Sequence, residues 1–327
     1  MDAPALPRIA IATGDPAGIG PEIALKAALA AAVGGICRPV VVGDPDVIDR
    51  QAKACEISHE RRLIDRVAEA DWSSGVINVL ACRRANLADL SFGSVSAAAG
   101  EAALACARAA IGAALAGDVD AVVAAPQNQT SIALAGVAFD GYPSFVARET
   151  GLAPHDVFLM LCFGPTRIVH CTLHLGVRDA VALITRERVE RAIRVTDATL
   201  KRLGIPIPRF SVSGVNPHAG EGGLFGREEI EIISPAIAQA ATDGVRVSGP
   251  FGADTMFHQR DVDAFIVMLH DQGHIAAKLQ APRATAGLSI GSPILFSSVA
   301  HGSAHDIAGK GVADPTAMIE AITRLAV

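Results

Sequence analysis

The sequence predicts an α/β protein built on mainly parallel sheet, and three observations carry that prediction. Short apolar runs alternate with longer Ala-rich stretches of helical pattern almost throughout, and strand-then-helix alternation marks parallel α/β architecture. The chain has 327 residues, enough for about two domains. Half its residues are hydrophobic and 4% are aromatic, so a large core must be filled by Ala, Val, Ile and Leu.

In chain order, strands are expected at 8–12, 39–43, 120–124, 166–173, 209–215 and 263–269. Helices are expected at 20–33, 96–116, 187–203, 227–241 and 313–325, with another starting near Gly273. No short internal repeat, low-complexity tract or charged linker interrupts this order, so composition marks no domain boundary.

The net charge of −6 argues against a general nucleic-acid or membrane-surface binder. The cysteines (Cys37, Cys55, Cys82, Cys106, Cys162 and Cys171) form no CxxC pair and no zinc-ribbon spacing, as expected of core residues in a reducing compartment. The first residues lack the basic and apolar regions of a signal peptide. The apolar stretch 102–116 contains Arg108 and is short for a bilayer span. The expectation is a soluble cytoplasmic protein.

In parallel sheets ligands bind beyond the carboxyl ends of strands. Four unusual clusters fall there: Gly14-Asp-Pro-Ala-Gly-Ile-Gly-Pro-Glu22, His174, Asn216-Pro-His-Ala-Gly220 and His270-Asp-Gln-Gly-His274. His174, His218 and His270 follow three predicted strands, and three neutral imidazoles can bind a divalent metal with open positions for substrate. Spacing alone does not separate that from three capping histidines. His170 shares a strand face with His174, as a supporting group or a packed one. His274 and Lys278 share a helix face, and the apolar neighbours of Lys278 favour a lysine reaching into a cleft over a solvated one.

The stretch from His301 to Pro315 is rich in small residues that let backbone approach a ligand. Asp306 there could accept hydrogen bonds from ribose hydroxyls and would repel a 2′-phosphate, favouring NAD over NADP. Without comparison, a ligand-free Gly-rich loop is an equal reading. No GxGxxG follows a strand.

The motifs Gly14-Asp-Pro-Ala-Gly-Ile-Gly-Pro-Glu22, Asn216-Pro-His-Ala-Gly-Glu221, Gly249-Pro-Phe-Gly-Ala-Asp-Thr255, His270-Asp-Gln-Gly273 and His301-Gly-Ser-Ala-x-Asp-Ile-Ala-Gly309 resemble, co-linearly, the PdxA family. The 301–315 loop also resembles the NAD loop of isopropylmalate dehydrogenases. The resemblance implies two isocitrate/isopropylmalate dehydrogenase-like α/β/α lobes, here 1–126 plus 297–327 and 127–296, with the active site in the interlobe cleft and a homodimer. It implies a divalent metal on His174, His218 and His270: zinc first, otherwise cobalt, nickel, magnesium or manganese. It implies NAD around His301, Gly302, Ser303, Ala304, Asp306 and Asp314.

The departures bear on substrate. Members acting on 4-hydroxythreonine 4-phosphate hold it with a Gly-His-Thr-Glu motif where this chain has Gly141-Tyr-Pro-Ser144. Their substrate-binding asparagine and arginine align with Gly287 and Phe296, leaving Lys278. A phosphate without its arginine is poorly bound. The variant motifs, including Val169-His-Cys-Thr-Leu-His174 and Leu288-Ser-Ile-Gly291, resemble the terephthalate dihydrodiol dehydrogenase branch. The implied activity is NAD- and metal-dependent oxidative decarboxylation of terephthalate cis-dihydrodiol to protocatechuate. Tyr142 would give a substrate wall or be an ordinary half-buried tyrosine, Ser144 would be a substrate contact, Lys278 would bind an oxyanion or move a proton, and Asp271 would be a base or support a metal ligand. The alternatives are 4-hydroxythreonine-4-phosphate dehydrogenase and, from another class, a metal-dependent hydrolase.

Overall fold

The computed structural model describes residues 5–73, 75–83, 87, 90–281 and 285–326. In chain order the elements are β1 Arg8–Ala12, α1 Gly20–Leu29, α2 Ala31–Gly34, β2 Arg38–Gly43, α3 Pro45–Ala54, β3 Glu60–Ile64, β4 Val76–Ala81, α4 Ala97–Leu115, β5 Ala121–Ala124, α5 Gln129–Leu134 and α6 Tyr142–Glu149. There follow β6 Phe158–Phe163, β7 Thr166–His170, α7 Val177–Leu183, α8 Arg186–Arg202, β8 Arg209–Ser213, α9 Ser234–Thr242, β9 Arg246–Phe251, β10 Ala264–Val267, α10 His270–Gln280, β11 Ala286–Ile290, β12 Leu295–Val299 and α11 Thr316–Thr323. The fold is mixed α/β, as the alternation predicts.

The chain divides into Met1–Ala153 with Ser292–Val327, and Pro154–Gly291. The first junction falls later than 126/127 and the second earlier than 296/297. The reason is packing: α5 and α6 lie against α4 in the first unit, and Ile294 and Phe296 belong to its core.

In the first unit, strands run in the order β3-β4-β2-β1-β5-β12, all parallel. The loops leaving β1 and β12 therefore open at the same edge. The chain passes from β1 to β2 on one side and returns later to β5 on the other, the arrangement that leaves a crevice at strand ends. Helix α4 begins ahead of the 102–116 stretch and is long and apolar enough, by length and composition only, to cross a membrane; 56% of its apolar window is buried, against β1, β2, β5 and α5. Its Gly100 allows that approach, because a β-carbon there would collide with the Ser131 backbone of α5.

In the second unit the order is β11-β6-β7-β10-β8-β9. Strands β11, β6 and β7 pair antiparallel, whereas β7, β10, β8 and β9 are parallel. Three of the strands predicted to carry histidines are thus neighbours, with β10 between β7 and β8. The expected helix 227–241 is broken into a π-turn, Glu229–Ile233, and α9.

Candidate active site

The second unit gathers four imidazoles at the ends of β7 and β10. The His174 and His270 ring centroids are 5.6 Å apart. His270 and His274, one turn apart on α10, stack at 3.7 Å and 9° from parallel. His170, the last residue of β7, is 1% exposed, and its Nε2 lies 3.1 Å from His274 Nδ1. The tautomers follow from the partners. His170 Nδ1 faces the Leu159 carbonyl at 3.4 Å, which only accepts, so Nδ1–H donates and Nε2 is the acceptor for His274 Nδ1–H. Burial, reinforced by His274, lowers the His170 pKa to about 3; burial and then His270 lower that of His274 to about 4. Both rings are neutral at pH 7.

The start of α10 explains the motif His270-Asp-Gln-Gly-His274. Gln272 Oε1 accepts from the Met268 and Leu269 amides at 2.9 Å each, and its Nε2 donates to the Gly214 carbonyl at 3.0 Å. It thereby ties the end of β10 to the loop after β8. Asp271 Oδ1 accepts from His270 Nδ1 at 2.7 Å, which leaves His270 Nε2 with its lone pair for a ligand. Asp271 itself is exposed, and Lys278 is exposed two turns further along α10. The Lys278 charge is close enough to His274 to oppose its protonation.

His174, His270 and Asp271 line an open cavity of about 460 Å³ with Leu173, Val177 and Leu269. His218 is not brought to these rings: it stands on Pro217–Gly223, where residues 218–222 all have positive φ, and its ring meets Phe225 at 6.4 Å. Buried Glu229 fixes that loop by accepting from the Val215 and Asn216 amides at 2.8 Å each. Among the described residues no three or more His, Cys, Asp or Glu are grouped so as to hold a metal ion. The donor chemistry of His174 and His270, two imidazoles lining one cavity, fits a divalent cation of the borderline kind; the predicted third ligand, His218, stands on the Pro217–Gly223 turn.

In the first unit, Tyr142 begins α6. Its hydroxyl donates to the Ala125 carbonyl at 2.9 Å, its ring packs on Phe296 with centroids 5.0 Å apart, and burial raises its pKa. Ser144 is 7% exposed and its hydroxyl donates to Asp140, four residues earlier. Phe296 is 1% exposed.

The 301–315 loop follows β12. His301 and Gly302 are exposed and Ser303 is buried, with an Oγ that has no hydrogen-bond partner. Ala304 has φ 43°, and Asp306 sits exposed on a single turn, His305–Ile307. An exposed carboxylate and an unsatisfied buried hydroxyl on an open Gly-rich backbone fit a dinucleotide. Asp314 is otherwise engaged: it accepts from the Thr316 amide at 2.9 Å and hydroxyl at 2.6 Å, capping α11. The residues that sequence reasoning missed are Asp15, Glu22, Lys26 and His305, which brace this loop; their signal was charged side chains inside an apolar, Gly-rich setting.

Comparison with known proteins follows this geometry. The family model described as "Pyridoxal phosphate biosynthetic protein PdxA" matches residues 35–325. A 1,2-dihydroxy-3,5-cyclohexadiene-1,4-dicarboxylate dehydrogenase from Comamonas is 42% identical over 97% of this chain and 96% of its own. A D-threonate 4-phosphate dehydrogenase from Cupriavidus necator is 38% identical over 97% and 96%. Among solved structures, a 4-hydroxythreonine-4-phosphate dehydrogenase from Klebsiella pneumoniae has a TM-score of 0.88 at 38% identity, covering 98% of this chain and all of the other. A terephthalate 1,2-cis-dihydrodiol dehydrogenase from Burkholderia xenovorans has a TM-score of 0.73 at 44% identity, covering 98% and 97%. A beta-decarboxylating dehydrogenase from Thermococcus kodakarensis, at 19% identity with a TM-score of 0.50 and covering 95% and 80%, shares the fold.

Proposed function

The chain belongs to the PdxA family of dehydrogenases acting on a CH–OH group, and we propose that it oxidises and decarboxylates 1,2-dihydroxy-3,5-cyclohexadiene-1,4-dicarboxylate to protocatechuate with NAD and a divalent metal. The observation that carries the substrate is Phe296. Where phosphate-binding members are expected to place a guanidinium, this chain has a phenyl ring buried among Phe145, Ile132 and Val146 with Tyr142 packed on it. A phenyl ring buried in the core, in place of a guanidinium, offers nothing to a dianion. The apolar lining beside His174 and His270 points the same way, as does the 42% identity to a relative named for that diol.

When bound, NAD would accept the hydride and a cation on His174 and His270 would polarise the substrate oxygens. The protein's own part is binding and proton handling. Lys278, a point charge on a flexible stem, holds a substrate carboxylate or oxyanion. Asp271 keeps the His270 proton on Nδ1. The neutral His170–His274 pair adds no positive charge that would compete with a cation. Oxidation of the ring alcohol gives a β-keto acid; loss of CO2 and tautomerisation give the aromatic diol acid. The homodimer and a cytoplasmic location are part of this proposal, the latter supported by cysteines that form no disulfide.

The test follows NADH formation by purified protein with added zinc, cobalt or magnesium, offering the dihydrodiol and 4-phosphohydroxythreonine in parallel. Turnover of the phosphate alone would overturn the substrate. That second reading, a phosphorylated hydroxy acid, is favoured by relatives such as the Cupriavidus necator protein and by the higher TM-score to the Klebsiella structure.

A further inference from the structure

The loops after β1 and β12 are locked together by two buried charged contacts that the catalytic reading does not use. Asp15 is 1% exposed. Its Oδ1 accepts from the Ala17 amide at 2.9 Å, and its Oδ2 accepts from His305 Nε2 at 2.7 Å. A carboxylate has no proton to give at neutral pH, so Nε2 carries the hydrogen in either charge state of the imidazole. Backbone closes the same joint: the Ile19 amide donates to the Ser303 carbonyl at 2.9 Å, and a β-carbon on Gly18 would lie 2.7 Å from Ser303. Further along, Lys26 Nζ donates to the Gly311 and Ala313 carbonyls at 2.9 and 2.8 Å. It also pairs at 2.7 Å with Glu22, whose Oε1 accepts from the Ala313 amide at 2.9 Å.

Between these anchors lie residues 306–310, with Asp306 and Lys310 exposed. A segment holding Gly302, Gly309 and Gly311, with positive φ at Ala304, Gly309 and Gly311, would lose much backbone freedom if it were ordered only on binding. Anchoring it beforehand removes that cost from the affinity.

We propose that His305, held by Asp15, is a positioning residue for the dinucleotide: it fixes the turn that projects Asp306 toward the cofactor's ribose. This rests on the NAD reading above.

The test compares His305→Phe, His305→Asn and His305→Gln with wild type in two measurements. Hydrogen exchange of the 303–310 amides is read by mass spectrometry on cofactor-free protein, and the NAD KM and kcat are read with the dihydrodiol. Phe and Asn should each speed exchange about tenfold and raise the NAD KM about tenfold, the worth of one hydrogen bond to a charged group, while kcat at saturation stays within about twofold. Gln, which restores an N–H donor, should recover both. Wild-type exchange in Phe and Asn would overturn the brace. Faster exchange with an unchanged KM would overturn its role toward the cofactor. Failure of wild-type protein to bind NAD at all, measured by calorimetry, would remove the NAD reading and the positioning role together, and the exchange data would still show whether His305 holds the loop.

Discussion

The imidazole of His170 lies against the backbone of Gly273, so close that a β-carbon at 273 would collide with its Nε2. Glycine is required there because a ring, in a core that cannot yield, occupies the side-chain position. Gly273→Ala should therefore cost about 1–3 kcal/mol and displace the stacked His270–His274 pair behind it. Urea unfolding measures the first and zinc affinity the second; wild-type values for both would mean that the ring moves freely.

His170 also sets an acid limit. Its native pKa of about 3 lies below the ordinary 6.5, so the unfolded chain takes up a proton the native state refuses. This group costs nothing above pH 6.5, and stability falls as pH drops from there toward 3, by up to ~1.4 kcal/mol per unit. His170→Phe should flatten the pH dependence of the urea midpoint between pH 6.5 and 4. An unchanged slope in metal-free protein would show that other groups dominate it.

Lys26 is the main charge partner of Glu22, whose side chain is fully buried. Lys26→Met leaves that carboxylate unpaired and should destabilise the protein by about 3 kcal/mol, with faster exchange at residues 311–313. The double variant Lys26→Met/Glu22→Gln should recover part of the loss; no recovery would argue that packing, and not the charge, is what the lysine supplies.

Tyr142 separates a wall from a hydrogen bond. Tyr142→Phe removes the donor to Ala125 and should cost about 1 kcal/mol with diol turnover near wild type. Tyr142→Ala should cost about 3 kcal/mol and raise the diol KM. Loss of turnover in the Phe variant would mean that the hydroxyl itself meets substrate.

Lys278→Met preserves the stem and deletes the charge. It should lower kcat/KM for the diol roughly 100-fold without changing the thermal midpoint. A near-normal kcat/KM would place Lys278 among solvated surface lysines.

Local pattern alone determined the parallel α/β class: the run of residues 8–12 and the helix from Arg186 to Arg202 are legible because β-branched runs and 3.6-residue periodicity are properties of neighbours in the chain. The positions of His174 and His270 just past apolar strands were legible too, but their approach to one another was not. Tertiary structure decided the rest. Strands such as β3, with charged Glu60, Arg61 and Arg62, show no apolar run and exist because β4 pairs with them. Folding decided the present partners of Ser144 and Asp314, which are Asp140 and Thr316. Only folding brings Asp15 to His305 and His170 to Gly273, across 290 and about 100 residues of chain: a buried polar or glycine position is chosen by what lies opposite it in space, and a sequence read along its length carries no record of that partner.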